Sequence, residues 1–222
     1  MTDQIIGPHK GQPVLRAGVA LDKAQAAMIM IHGRGASAED ILSLAQYFDH
    51  PGFAYIAPQA AGHTWYPYPF MTPLANNEPY LSSALSVVAG LLTYLAEHGI
   101  GPERTILLGF SQGACLSTEF AARNARRYGG IAGLSGGLIG PEGTPRDYAG
   151  SLDNTPVFLG CSDVDFHIPK ERVLETAAVL RRLKGDVTDR LYRGMGHTTN
   201  DDEIAFVQTM MNAVAQANPK VG

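Results

Sequence analysis

Short apolar runs of strand length alternate along this chain with stretches whose apolar residues return at helical spacing. The runs AAMIMI (26–31), FAYIA (53–57), ILL (106–108), IAGL (131–134) and PVFLG (156–160) carry few polar positions, the signature of strands buried on both faces. The stretch 187–192, VTDRLY, alternates instead and predicts a strand with one wet face, and PVLRAGVA (13–20) predicts an edge strand behind a mobile N-terminus. Helices are expected from Ser37, where Asp40 completes a capping box, to about Phe48, and over 79–99, 169–184 and 201–217, and the stretch 105–123 ends in a helical pattern of Leu116, Phe120 and Arg123 or Ala121. The 79–99 helix carries Tyr80, Ala84, Leu85, Val88, Leu91, Leu92 and Leu95 on one face and stops at Gly99. Two pieces fit neither pattern: 59–77, and the Gly- and Pro-rich LIGPEGTPRDYAG (138–150). Strands alternating with helices predict an α/β fold, a mostly parallel central sheet with helices on both faces, in one domain spanning 1–222. There is no repeat, linker or low-complexity tract.

Composition narrows the function classes. The apolar and charged fractions, 45% and 17%, are those of an ordinary soluble globule, and 222 residues suffice for a sizeable core. A net charge of −4 with no basic run gives nucleic acid and anionic membranes little to hold. Two cysteines, Cys115 and Cys161, make no disulfide framework. No apolar leader opens the chain, Met-Thr lacks the myristoylation pattern, and no window approaches a membrane span. A soluble, cytoplasmic protein is expected. The seven histidines lack metal-ligand spacing, so no metal is expected.

The chemistry collects around TILLGFSQGACLSTEFAAR (105–123). Between its strand and its helix stands Gly109-Phe110-Ser111-Gln112-Gly113, a G-x-S-x-G elbow that forces the serine into a strained backbone and exposes its hydroxyl. The flanking glycines and Ala114 remove side chains that would collide as helix meets strand. A second match, Gly133-Leu134-Ser135-Gly136-Gly137, follows a strand but precedes the Gly/Pro stretch, so Ser135 reads as a strand end before a loop. Ser111 is therefore the expected nucleophile.

A serine hydroxyl needs a base, and the base needs an orienting acid. In an open α/β sheet such groups lie beyond the carboxyl ends of the strands. His197, in Gly194-Met195-Gly196-His197, follows the last strand and is the expected base. Asp163 and Asp165 follow the strand before it, and the chain order Ser, Asp, His is that of α/β-hydrolases. Backbone N–H groups of Gln112, next to the nucleophile, and of Arg34, in His32-Gly33-Arg34-Gly35 after the first buried strand, are the expected oxyanion donors. Gly33, Gly35 and Ala38 also fit a dinucleotide fingerprint, but the strand 53–57 ends in no acidic residue to hold a ribose.

HGRG, the GFSQG elbow, the segment 165–169 (DFHIP) and the GMGH turn together resemble the phospholipase/carboxylesterase family, the esterases related to acyl-protein thioesterases. The resemblance runs from about residue 28 to the end. It implies an α/β-hydrolase fold and selects Asp165, four residues before Pro169, as the acid, although members often carry Pro where this chain has Phe166. It implies a carboxylesterase working through an acyl-enzyme, with lysophospholipase or acyl thioesterase activity as the alternative. A non-catalytic binding module is disfavoured, because every catalytic position is filled. The partner expected is a small ester or thioester, with no cofactor, no nucleic acid and no stable membrane insertion; a homodimer is compatible with it.

Four aromatic rings, Trp65, Tyr66, Tyr68 and Phe70, crowd into HTWYPYPFM (63–71). The expectation is that this stretch overhangs Ser111, with Trp65, Tyr66 and Phe70 in the substrate pocket beside His32 and Gly33. His32 is expected to shape the oxyanion loop, and His167 to be a surface neighbour of the acid. Cys115 is expected to be a small core residue.

Overall fold

The structure, a computed structural model, describes residues 5–48 and 50–217. Among them seven strands form one sheet in the order β1-β3-β2-β4-β5-β6-β7. The strands are β1 Val14–Gly18, β2 Ala26–Ile31, β3 Phe53–Pro58, β4 Thr105–Phe110, β5 Gly130–Leu134, β6 Pro156–Ser162 and β7 Asp186–Tyr192. β1 pairs antiparallel with β3, and every other pairing is parallel. This is the α/β-hydrolase arrangement. The continuous apolar runs lie at its centre, with β2 and β3 buried along their whole length, whereas the alternating β7 closes one edge.

Because successive side chains point to opposite faces, each central strand feeds two cores. Ala27, Ile29 and Ile31 face α2 (Tyr80–Glu97), α3 (Gln112–Arg123) and α4 (Lys170–Arg182), where Leu91, Leu116 and Leu180 are buried. Ala26, Met28 and Met30 face α1 (Ala38–Leu42) and α5 (Asp201–Ala217), against Ile41, Val207, Met210 and Met211.

Three expectations are corrected. The capping box at Ser37 forms with Asp40, but the helix ends at Leu42 and tightens into a 3₁₀ turn, Ser43–Tyr47, as the Ser43 hydroxyl donates to the Asp40 carbonyl at 2.7 Å. The mobile N-terminus expected before β1 is packed from residue 5 on; residues 1–4 lie outside the described part. Ile5 is buried, and the buried His9 ring donates to the Trp65 carbonyl (3.0 Å) while accepting from the Ala61 N–H (3.0 Å). Those partners fix a neutral ring, in keeping with a pKa lowered chiefly by burial. Finally, α2 with its 18 residues and mean hydropathy of 1.3 is long and apolar enough to cross a membrane. Here it is a core helix, with Leu81, Val88, Leu91 and Leu95 fully buried against the sheet.

The Gly/Pro stretch after β5 is held by side chains rather than by a ladder. Glu119, buried on α3, accepts from the Ile139 N–H (2.9 Å) and the Tyr148 hydroxyl and pairs with Arg123 at 2.6 Å. Arg146 reaches back to the Ile139 carbonyl and to Glu175.

At the elbow β4 and α3 meet with no room to spare. A Cβ on Gly113 would stand 2.0 Å from the Ile31 carbonyl oxygen, and one on Gly109 2.2 Å from the Gly113 carbonyl oxygen. Both obstacles are backbone. Gly113→Ala is therefore expected to lower the melting temperature by about 10 °C or to prevent soluble folding, since overpacking against backbone costs several kcal/mol. Thermal denaturation followed by circular dichroism checks this; an unshifted transition would show that the corner can open.

Candidate active site

Ser111 stands between β4 and α3 with φ +55° and ψ −119°, a conformation that L-residues rarely adopt. Its N–H still joins the sheet by donating to the Leu134 carbonyl (2.9 Å), and its carbonyl accepts the first bond of α3 from the Cys115 N–H (3.0 Å). With the backbone held at both ends, the hydroxyl is thrown out beyond the carboxyl edge of the sheet. Ser135 also has a positive φ, of 52°, yet it is fully buried at the end of β5 and a loop follows it.

The Ser111 Oγ lies 2.8 Å from His197 Nε2, and His197 Nδ1 lies 2.7 Å from Asp165 Oδ2. The imidazole arrives on the loop between β7 and α5, which two bonds tie to the end of β6: Gly196 N–H to Ser162 Oγ (3.0 Å) and Gly194 N–H to Asp163 Oδ1 (2.8 Å). Asp163, the other sequence candidate for the acid, thus braces the histidine loop and does not touch the ring. The His197 ring sits between Phe110, with centroids 5.0 Å apart, and His167, 4.8 Å away and edge-on.

Asp165 has a fully buried side chain. Burial alone would raise its pKa, but the His197 ring and the N–H groups of His167 (2.8 Å) and Ile168 (3.1 Å) outweigh it and hold the carboxyl below its ordinary value. The Cys161 thiol, pushed up to about 12 chiefly by burial, stays protonated and donates weakly to the same carboxylate (3.7 Å). The acid is therefore a fixed anion facing Nδ1, and Nε2 is the nitrogen turned toward the serine hydroxyl.

Gly33 closes the other side: a Cβ there would stand 3.3 Å from the Ser111 Cβ. Gln112 is the first residue of α3, so its N–H is one of the donors a helix start leaves over. The side chains of Arg34 and Gln112 do something the sequence did not disclose. The Arg34 guanidinium donates to the carbonyls of Tyr66, Pro67 and Tyr68 (2.8–2.9 Å). Gln112 accepts from the Trp65 N–H (2.8 Å) and donates to the Tyr66 carbonyl (2.9 Å). Together they clamp the aromatic segment over the site.

That segment divides. Tyr66 and Phe70 line a cavity of about 320 Å³ that opens on Ser111 and His197, with Cys115, Ile168, Pro69, His167, Arg34 and Gln112. Trp65 does not line it. It is fully buried beneath the 32–35 loop, its indole N–H bonded to the His32 carbonyl (3.0 Å), and the expectation that it shapes the pocket is corrected. Tyr68 points to solvent. His32 lines a different cavity, with Gly33, and has no ring nitrogen to spare for a substrate: its Nδ1 donates to the Gly33 carbonyl (2.7 Å) and its Nε2 accepts from the Ala60 N–H (3.1 Å). Burial lowers its pKa and keeps it neutral. A second cavity of about 340 Å³, lined by Ile41, Leu44, Phe110 and Thr198 among others, shares His197 from the other side.

A model of the phospholipase/carboxylesterase family matches residues 18–215. The chain belongs to that family. A phospholipase/carboxylesterase from Dyadobacter fermentans is 39% identical, with 94% of this chain and 99% of that one superposed at a TM-score of 0.88. Acyl-protein thioesterase 1 of Kluyveromyces lactis is 29% identical over 90% of this chain and 98% of its own length, and that of Saccharomyces cerevisiae is 26% identical over 86% and 93%. Like other members of this hydrolase family, the chain has relatives that act on ester or thioester bonds.

The histidine loop leads into α5 through a reciprocal cap in which Asn200 N–H donates to Glu203 Oε2 and Glu203 N–H to Asn200 Oδ1, both at 3.0 Å. Glu203 is fully buried, and burial is the largest cause that carries its pKa from the usual carboxylate range up to about 7. A raised acid contributes stability below its unfolded pKa and loses it as pH rises through the folded one. Relative to Glu203→Gln, the native protein should therefore lose up to about 3 kcal/mol between pH 4 and pH 8. Urea unfolding at several pH values measures the difference; parallel curves for the two proteins would contradict it.

Proposed function

We propose that this chain hydrolyses carboxylic esters through Ser111, His197 and Asp165. The reading rests on the continuous line of contacts from the Ser111 hydroxyl through the His197 ring to the buried Asp165 carboxylate. In the first half-reaction the Ser111 Oγ bonds to the acyl carbon and His197 Nε2 takes the hydroxyl proton. Collapse of the tetrahedral intermediate breaks the bond to the leaving oxygen, which receives that proton from Nε2. Water, deprotonated by the same nitrogen, then attacks the acyl-enzyme, and the acid leaves as Ser111 recovers its proton. Negative charge on the carbonyl oxygen is taken up by the N–H groups of Arg34 and Gln112. Asp165 stays ionised throughout and stabilises the transient imidazolium. No cofactor enters these steps.

Thioester hydrolysis is the second reading, supported by the thioesterases among the relatives. It uses the same residues and differs only in the leaving atom. Parallel assays on matched esters, thioesters and lysolipids separate the two.

Ser111→Ala should lower kcat by roughly 10⁴ to 10⁶ and abolish labelling by a fluorophosphonate. Retained turnover of an activated ester would end the assignment. Because only an unprotonated Nε2 can accept the serine proton, kcat/KM should fall tenfold per pH unit on the acid limb, following one ionisation. A flat profile would remove His197 from the role of base.

A further inference from the structure

The cavity on Ser111 is built for more than an alkyl chain. None of its lining residues is acidic, and the Arg34 guanidinium is among them. Three of the five N–H groups of that guanidinium go to backbone carbonyls. Among the described residues no carboxylate lies within ion-pair distance of it, so its charge is unneutralised and two N–H groups remain unspent. The Tyr66 hydroxyl, in the same wall, is buried, and among the described residues its hydrogen-bonding neighbour is the Cys115 thiol, a weak partner. A buried hydroxyl so weakly paired costs free energy that a better ligand recovers. Phe70, Ile168 and Pro69 give the space between these groups apolar sides.

The acyl part of the substrate must occupy space that touches Ser111, because it becomes covalently attached there. Ser111 lines this cavity and not the second one, which of Ser111 and His197 reaches only His197 and suits a leaving group taking its proton from that ring.

We propose that the preferred substrates are esters of short dicarboxylic acids, whose acyl chain ends in a second, free carboxylate bound by Arg34 and the Tyr66 hydroxyl. The apolar walls take the methylenes; the guanidinium and the phenol take the oxygens. This rests on the assignment of Ser111 as nucleophile and adds to it the nature of the acyl group.

The test compares mono-4-nitrophenyl succinate, glutarate and adipate with the neutral butyrate, pentanoate and hexanoate, subtracting the enzyme-free rate. At least one hemiester should exceed its neutral counterpart about tenfold in kcat/KM, the discrimination expected of one charge-assisted hydrogen bond. The preference should shrink as salt is raised. Tyr66→Phe should reduce the ratio within that pair several-fold, and Arg34→Met should remove it. If all three hemiesters are hydrolysed no faster than their neutral partners while the neutral esters turn over, the anionic pocket is refuted and the hydrolase reading stands. If neither set is hydrolysed and Ser111 takes no fluorophosphonate, the hydrolase reading fails and this inference with it. A preference untouched by Tyr66→Phe and by Arg34→Met alike would also overturn it.

Discussion

The steric meeting of β4 with α3 is the constraint on which the rest of this structure depends. Backbone from three segments (the end of β2, the end of β4 and the first turn of α3) occupies a space that a single methyl group would overfill. Such an approach can be sustained only because the strands are paired on both sides and the helix is buried almost along its whole length. The stored strain appears at Ser111, in a left-handed region that a free serine would leave at once. Everything chemical follows from that hydroxyl having one place to go.

Near the elbow, two buried imidazoles are fully matched. His9 and His32 each use one ring nitrogen as donor and the other as acceptor, which fixes both as neutral and joins residues 5–9, the 32–35 loop and the segment 60–66 into one network. Removing one member would leave a buried partner unmet, so such networks hold better than their bonds counted singly. Trp65 fills the space between the two imidazoles, with ring centroids 5.2 and 5.1 Å away. A large ring in a polar layer acts here as a spacer that sets the height of the loop above it.

Much of this was legible in the residues. Parallel strands buried on both faces write themselves as unbroken apolar runs, so β2 matched its observed span and β3, β4, β5 and β6 were found to within a residue or two. The elbow and the histidine turn were legible because glycine marks the backbone conformations they need. What escaped the sequence was set by bonds between distant residues. No local pattern says that Arg34 and Gln112 reach across 30 to 50 positions to hold the 64–68 segment, or that Glu119 staples the loop after β5. Trp65 and Phe70 look alike as aromatic letters in one stretch; only the indole N–H, finding the His32 carbonyl, sends the first inward. The preference for Asp165 over Asp163 likewise came from resemblance; in the structure Asp165 is the covered carboxylate against the His197 ring, and Asp163 braces a turn.

The double use of Arg34 and Gln112 has a consequence for how such a protein can change. Their side chains hold the wall of the cavity that opens on Ser111, and the mechanism proposed above gives their main-chain N–H groups the developing charge. Under that mechanism, remodelling the 66–70 stretch to admit a different guest would disturb the two residues assigned to that charge. Under the proposed mechanism breadth of diet and speed of turnover are thus mechanically linked, and room for change that spares both lies in the second hollow, beyond the imidazole, where Asp40 and Ile41 of α1 line the wall.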